Sequence, residues 1–243
     1  MTSKYFYLAL NVVAFVIPFV FSFHPKANFS KKWKFVLPAI FVSGIFFVGW
    51  DMLFTRAGVW GFNPAHLTGI YFFNLPGEEV LFFFCIPYAC LFTYFALNHL
   101  IKKDYFFPHH ELISSFLIVV TLMAGIYFLD RAYTSATALL TGFFLSFHMI
   151  KVRPRYMGRF YFTYLILLVP FLVINSALTG AFTAEPVVWY DDAENCGVRI
   201  FTIPIEDFFY GMMVVLIPVF FAHELEERLP KTKSPSTTGL SGI

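Results

Sequence analysis

The sequence predicts an all-α integral membrane protein with seven transmembrane helices. Of the 243 residues, 58% are hydrophobic and only 13% are charged, whereas soluble domains carry roughly 25% charged residues. A helix needs about 17–25 apolar residues to cross a bilayer. Seven runs of suitable length are present: 5–23, 35–54, 78–99, 112–129, 134–150, 160–179 and 205–222. The first run lacks a small-residue cleavage site, so we interpret it as a retained span rather than a signal peptide.

The lysines and arginines predict how these spans are oriented. Thirteen of the 17 basic residues lie in the connections 24–34, 100–111 and 151–159 or close to the C-terminus. Short cytoplasmic loops carry an excess of basic residues. The N-terminus is therefore predicted outside and the C-terminus in the cytoplasm. The expected location is a bacterial inner membrane. The polar, Ser/Thr-rich segment 231–243 is predicted to be a disordered tail.

The acidic residues show the opposite bias. Ten of the 15 acids fall on the predicted outer side: Asp51, Glu78, Glu79, Asp130, Glu185, Asp191, Asp192, Glu194, Glu206 and Asp207. Acids contribute little to membrane topology, so the bias needs another explanation. Two interpretations stay open, namely that the outer loops are simply polar, or that several acids converge on a site at the outer membrane face.

An internal repeat connects two of the acidic clusters. LPGEEVLFFF at 75–84 resembles IPIEDFFYGM at 203–212, and we call the shift in numbering from 75 to 203 the repeat offset. Upstream, 51–55 loosely matches 175–179. The shift from 51 to 175 is four residues shorter than the repeat offset. The second repeat must therefore contain a four-residue insertion between these two matches, and the insertion is predicted within 189–197. Chance similarity between two apolar stretches is the alternative, but a proline and two acids at one matching depth favour a true repeat.

The repeat predicts the domain organisation. A first repeat at 1–110 holds spans 1–3, a connecting span lies at 111–132, and a second repeat at 133–230 holds spans 5–7. Because the repeats are four spans apart, both run in the same direction through the membrane. Parallel repeats are related by an axis along the membrane normal, so the two acidic motifs are predicted to face each other at one depth.

The chemistry of the motif has two interpretations. A proline at the first helical position loses no hydrogen bond, and acids in the first turn are favoured by the helix dipole, so the acids could simply cap spans 3 and 7. However, one acid per helix would suffice, and adjacent residues point about 100° apart around a helix. Ionisable residues at membrane depth are functional candidates.

Four carboxylates near one axis would favour acid–base chemistry. They cannot all be charged, because proximity and desolvation both favour the protonated form. A protonated carboxyl in a dry cavity is a general acid, and a neighbouring carboxylate can act as a base. Aromatic residues make up 21% of the chain, and their ring faces can stabilise a carbocation. Acid-initiated carbocation chemistry on an apolar, membrane-dissolved substrate is therefore predicted.

Several other classes of function lack their sequence signatures. No GxGxxG, P-loop or HExxH motif is present, and Cys85, Cys90 and Cys196 have no metal-ligand spacing, so no metal and no nucleic-acid partner are predicted. Span 205–222 has no lysine for a retinal Schiff base. The acids at 191–194 match half of the paired motif of a Mg²⁺-dependent prenyltransferase. That enzyme, a carotenoid hydratase and a proton-coupled transporter remain alternatives.

Three stretches resemble one family closely. FNPAHLTGIYFFNLPGEEVLFFFCIPYACLFTY at 62–94, FLDRAYTS at 128–135 and VVWYDDAENCGVRIFTIPIEDFFYGM at 187–212 are similar to the lycopene cyclase domain family. This family comprises the small membrane lycopene β-cyclases of bacteria and archaea and the cyclase half of fungal cyclase/phytoene synthases. The resemblance covers about residues 1–228, and the doubled motif indicates the fused form with two units in one chain.

The resemblance implies an activity and a set of site residues. The activity is conversion of the ψ-ends of lycopene to β-ionone rings, giving γ-carotene and then β-carotene, with no net redox change. No cofactor is evident, although a requirement for a reduced nicotinamide or flavin stays open. Lycopene, the bilayer and other carotenoid-pathway enzymes are the implied partners. The implied acidic centre is Glu78, Glu79, Glu206 and Asp207, surrounded by Asp51, Asp130, Arg131, Asp192, Asn195 and Arg199.

The resemblance also suggests roles within the acidic centre. The hypothesis is that Glu78 or Glu206 delivers a proton to C2 of the terminal double bond. Glu79 or Asp207 then accepts the C6 proton after ring closure. Arg131 and Arg199 are expected to favour the charged form of the acids near them, with simple anchoring at the membrane interface as the alternative.

Overall fold

The computed structural model describes residues 3–25, 29–152 and 154–228, so the predicted tail at 231–243 lies outside it. Within the described residues the chain forms seven α-helices, as the apolar runs predict. They are α1 (Phe6–Phe21), α2 (Trp33–Ala57), α3 (Gly77–Leu100), α4 (His110–Tyr127), α5 (Ala132–Phe147), α6 (Met157–Leu178) and α7 (Glu206–Arg228).

Six of these helices, α2 to α7, belong to segments long and apolar enough to cross a membrane, which makes the chain an integral membrane protein. The first helix is shorter than predicted. At 16 residues and 1.5 Å per residue it spans about 24 Å, less than the hydrocarbon core of about 30 Å. It ends where Ser22 donates to the Pro18 carbonyl at 2.7 Å and pairs with the Tyr88 hydroxyl at 2.6 Å. At the other end of the chain, α7 continues to Arg228, six residues beyond its predicted end.

Short strands precede the two acid-bearing helices, α3 and α7. Strands β1 (Trp60–Phe62), β2 (Tyr71–Phe72) and β3 (Leu75–Pro76) lie before α3, and β4 (Val188–Tyr190), β5 (Arg199–Ile200) and β6 (Ile203–Pro204) lie before α7. The sequence did not predict them, because two or three residues are too few to show a period. The prolines predicted at the first helical position instead end strands β3 and β6.

The two hairpins match each other at the repeat offset. Strand β2 pairs with β3, and β5 pairs with β6, in the same register. Each hairpin turns at a phenylalanine with positive φ, +55° at Phe73 and +56° at Phe201. This left-handed conformation is uncommon for a residue other than glycine. Its recurrence at both turns indicates that the two segments share one local structure.

Strands β1 and β4 join the two repeats directly. They pair antiparallel, with Trp60 opposite Tyr190 and Phe62 opposite Val188. Strands β1 and β4 occupy corresponding positions in the two repeats, because their residue numbers differ by the repeat offset. The ribbon therefore forms from one strand of each repeat, and exchanging the repeats leaves its pairing unchanged. The full offset thus already holds at Val188, and the insertion predicted within 189–197 is wrong. The extra residues lie between Thr179 and Val188, in the loop that follows α6.

Helices α3 and α7 contact each other in the centre of the bundle. Around them, α1 packs on α3, α2 on α3 and α7, α5 on α4 and α7, and α6 on α3. The main core contains fully buried side chains such as Phe47, Phe83, Leu91, Met213 and Leu216. The acidic first turns of α3 and α7 therefore meet at the end of the bundle that the β1–β4 ribbon covers.

Candidate functional site

Two hairpins place the four motif acids in the first turns of α3 and α7. In each hairpin the backbone closes onto the helix start, with Gly77 N donating to Ile70 O at 2.7 Å and Ile205 N donating to Val198 O at 2.9 Å. All four carboxylates are buried: Glu78, Glu79, Glu206 and Asp207. A buried carboxylate requires hydrogen-bond partners, and these partners divide the acids into two kinds.

Glu78 and Glu206 bind the loops that precede their helices. Glu78 Oε1 accepts from Thr68 N at 2.7 Å, and Glu206 Oε1 accepts from Cys196 N at the same distance. These two amides are also related by the repeat offset. Glu206 Oε1 additionally accepts from Thr134 Oγ1 at 2.5 Å. Neither carboxylate lines the cavity that lies between α1, α3, α6 and α7, so both instead hold the loops that precede their helices.

Glu79 and Asp207 face the interior and accept hydrogen bonds from tyrosines. Tyr7 donates to Glu79 Oε2 at 2.5 Å. Asp207 accepts two such bonds, from Tyr133 to Oδ1 and from Tyr190 to Oδ2, the latter at 2.9 Å. Asp207 thus has two phenol donors and Glu79 has one. Hydrogen bonds to a carboxylate favour its charged form, and Asp207 has one more such donor than Glu79.

Both carboxylates line one cavity of about 410 Å³ between α1, α3, α6 and α7. A third carboxylate, the buried Asp51 of α2, lines the same cavity. Along α3 the lining extends from Glu79 to Thr93, which corresponds to about 21 Å at 1.5 Å per residue. All three acids lie at the end of the cavity closest to the β1–β4 ribbon, and most of the remaining lining is apolar, including Ile86 and Val214.

Aromatic rings surround the acidic end of the cavity. Trp60 and Tyr133 have ring centroids 5.1 Å apart, and Tyr133 and Tyr190 stack at 5.7 Å. Tyr210 lies 6.4 Å from both Trp60 and Tyr133. Ring faces attract a cation. Among the described residues, the lining contains no lysine, arginine or histidine. The cavity therefore suits an apolar ligand that becomes positively charged during reaction.

Burial and the negative charge of Asp207 raise the pKa of Tyr190 well above its ordinary value of 10.0. The Tyr190 hydroxyl consequently stays protonated at neutral pH and donates to Asp207. Three carboxylates in one largely apolar cavity cannot all be charged. At least one of the three is therefore expected to keep a proton, as a general acid must.

Four of the six residues expected around the acids form a network that includes the loop before α7. Arg131 Nη1 donates to Asn195 O at 2.6 Å and to Asp192 O at 3.1 Å. Arg199 Nη2 bonds to Asp192 Oδ1 at 2.5 Å, and Asn195 Nδ2 donates to the same oxygen at 3.1 Å. This network lies outside the cavity and holds the loop that covers Glu206.

The hydrogen bonds of the two arginines go to Asp192 and to loop carbonyls, while the charge of Arg199 also acts on Asp207 through space. Hydrogen bonds from Asn195 and Arg199 lower the pKa of Asp192, which is exposed. Asp130 is also exposed, in the turn before α5, and does not line the cavity. Only Asp51 among the six expected neighbours joins Glu79 and Asp207.

Sequence reasoning missed the tyrosines that complete the site. Tyr7 and Tyr133 lie near the starts of α1 and α5, and the difference between their residue numbers is close to the repeat offset. Extending the repeat towards the N-terminus could therefore have identified them. Tyr190 has Phe62 as its counterpart, so the repeat gives no signal for it. Within the described residues, no group of three or more His, Cys, Asp or Glu is placed to hold a metal ion.

Comparison with known protein families identifies the two repeats. The family model described as lycopene cyclase matches residues 4–97 and 130–225, more than half of the chain. Each matched segment contains one hairpin and one acid-bearing helix. No curated protein and no solved structure matched the chain.

Proposed function

The chain belongs to the lycopene cyclase family, and from this membership we propose that it is a lycopene β-cyclase. It converts the ψ-ends of lycopene to β-ionone rings, giving γ-carotene and then β-carotene. One observation carries this proposal: Glu79 and Asp207, from the two repeated motifs, line a single apolar cavity whose acidic end is walled by aromatic rings. Fold alone would not support an activity.

The reaction is an isomerisation that balances without an oxidant or reductant. A carboxyl group protonates C2 of the terminal double bond, which leaves the positive charge on C1. The electrons of the C5–C6 double bond form the new C1–C6 bond, and the charge moves to C5. Loss of the C6 proton to a carboxylate restores the C5–C6 double bond and completes the ring. The protein therefore needs one proton donor, one acceptor and surroundings that tolerate a cation.

We assign the donor to Glu79 and the acceptor to Asp207. Two phenol hydroxyls stabilise the charged form of Asp207, whereas Glu79 accepts one and has Asp51 as a like-charged neighbour. Asp207 is thus better suited to be the anion, and Glu79 to carry the proton. Glu78 and Glu206, the donors expected from the resemblance, are hydrogen-bonded to loop amides outside the cavity. In this proposal they maintain the shape of the site.

The substrate reaches the cavity from the lipid. Val13 and Ile17 of α1 line the cavity, yet they are 64% and 59% exposed on the outer surface of the bundle. A hydrocarbon dissolved in the bilayer would meet these side chains first. Within this proposal the acidic end lies near the outer face of a bacterial inner membrane, as the distribution of basic residues predicts.

The proposal is tested by expressing the chain in cells that accumulate lycopene and separating the extracted pigments by chromatography. We expect γ-carotene and β-carotene to appear. Unchanged lycopene, with the protein present in the membrane, would contradict the proposal. Repeating the assay on isolated membranes, with and without a reduced nicotinamide, a reduced flavin or a Mg²⁺ chelator, identifies any cofactor requirement. Hydroxylated products would favour a hydratase instead.

A further inference from the structure

At one corresponding position of α3 and α7 the two repeats carry side chains of very different size. Phe83 of α3 and Gly211 of α7 are separated by the repeat offset and therefore correspond. The Phe83 side chain is 1% exposed. It stacks on Phe47 of α2, with ring centroids 6.0 Å apart and planes 9° from parallel. The first repeat thus fills this position with two stacked rings.

The second repeat leaves the same position open. Gly211 faces Phe171 of α6, and both residues line the cavity. Phe171 corresponds to Phe47 of the first repeat when the shift from 51 to 175 is applied. A Cβ atom at Gly211 would lie 3.1 Å from Phe171 Cε2 and 3.6 Å from the Tyr164 hydroxyl. A larger side chain at position 211 would therefore project into the space between α6 and α7.

The cavity lies beside α1 and α6, which correspond to α5 and α2 in the other repeat. A second, repeat-related cavity would therefore lie beside α2 and α5. That region is closed, because Phe47 packs on Phe83 and also on Tyr210 of α7, whose ring centroid is 5.4 Å away at 80°. The duplicated architecture has two equivalent positions for a cavity. The described residues fill one with aromatic rings and leave the other open.

We propose that the chain has one ring-closing cavity, opened by Gly211, while Phe83 closes its repeat-related counterpart. This inference rests on the proposed lycopene β-cyclase function. All three cavity carboxylates lie at one end of the cavity, so one end of the polyene reaches them in each visit. The two ends are cyclised in separate visits, and the one-ring hydrocarbon leaves the cavity before its second end enters.

A label-chase experiment tests this order of events on the unmodified protein. The chain in lipid nanodiscs receives isotopically labelled lycopene, and a 100-fold excess of unlabelled γ-carotene follows once labelled γ-carotene has formed. We expect the chase to abolish most of the label in β-carotene, because released intermediate competes with the added pool. If label passes into β-carotene undiminished, both ends are closed in one visit and the inference is wrong.

A matched pair of variants tests the role of Gly211. Gly211→Phe should lower the rate of ring closure about 100-fold, in line with the effect of a misplaced substrate. It should also weaken the change in the lycopene absorption spectrum on binding. Gly49→Phe is the control, because a Cβ atom at Gly49 meets nothing within 4 Å. Phe83→Leu should retain ring closure.

The outcomes separate this inference from the proposed function. If the wild-type chain does not cyclise lycopene, the proposed function fails. If it does, but Gly211→Phe binds and cyclises lycopene as Gly49→Phe does, the single-cavity inference fails alone. Should Gly211→Phe not fold, Gly211→Leu replaces it, and the label chase remains decisive without any variant.

Discussion

Glu78 and Glu79 are neighbours in the chain, as are Glu206 and Asp207, yet the members of each pair contact different parts of the protein. The first acid of each pair binds a loop amide 10 residues earlier, and the second faces the cavity and accepts from tyrosine. Two acids that are adjacent in the chain therefore have different surroundings. Of the three acids that line the cavity, Asp51 and Glu79 belong to the first repeat and Asp207 belongs to the second, so both repeats supply acids to the same space.

The largest expected effect concerns the cavity acids. Glu79→Gln and Asp207→Asn should each lower the rate of ring closure by about 10²–10⁴-fold, the usual contribution of a general acid or base. Protein levels should be preserved, since each amide can still accept a tyrosine hydrogen bond. Pigment formation per amount of membrane protein measures the effect. The control is Glu111→Gln, an exposed acid in the first turn of α4. Normal activity in both variants would show that the cavity acids contribute no more to ring closure than the loop-binding acids do.

The loop anchors should affect stability more than chemistry. Glu78→Ala and Glu206→Ala leave half-buried backbone amides without an acceptor, which costs at most about 1–3 kcal/mol for each group. Glu206→Ala should be the more destabilising, because Glu206 accepts from both Cys196 and Thr134. Thermal unfolding in detergent provides the measurement. Equal stability of these variants and the wild type, combined with complete loss of activity, would instead make the anchors part of the chemistry.

A smaller effect should follow from removal of one phenol. Tyr190→Phe leaves Asp207 with Tyr133 as its phenol donor. The loss of one hydrogen bond to a charged group, about 1.5 kcal/mol, should lower the rate about tenfold. The effect should disappear when Asp207→Asn is already present, because the charge is then absent. Independent effects of the two substitutions would show that Tyr190 acts elsewhere.

The smallest expected effect concerns the exposed network. Asp192→Asn should change the free energy of unfolding by at most about 1 kcal/mol, as for other surface ion pairs. Asn195 and Arg199 lower the pKa of Asp192, so its contribution is present above the ordinary pKa of about 3.9 and is lost as the pH falls through the lowered value. Unfolding at pH 7 and at pH 3 tests this sign. A large loss of ring closure in Asp192→Asn would show that the network acts on the cavity.

Much of the fold could be predicted because the bilayer imposes long apolar runs, and the seven helices follow them. The start of α7 and its two acids were identified from the internal repeat. Which acid faces the cavity was not predictable, since the rotation of a helix depends on its packing partners. The pairing of β1 with β4 and the contribution of Asp51 are contacts between distant segments. A pattern within one segment contains no information about such contacts.

The difference between Phe83 and Gly211 has a consequence for how such a protein can evolve. In an assembly of two identical subunits, a substitution that opens one cavity also opens the other. When both units belong to one polypeptide, each position can change alone. One repeat can then evolve a closely packed interior, while the other repeat evolves an open cavity that leads to the reacting groups. Fusion thus permits a division of labour between duplicated halves that a symmetric dimer cannot inherit.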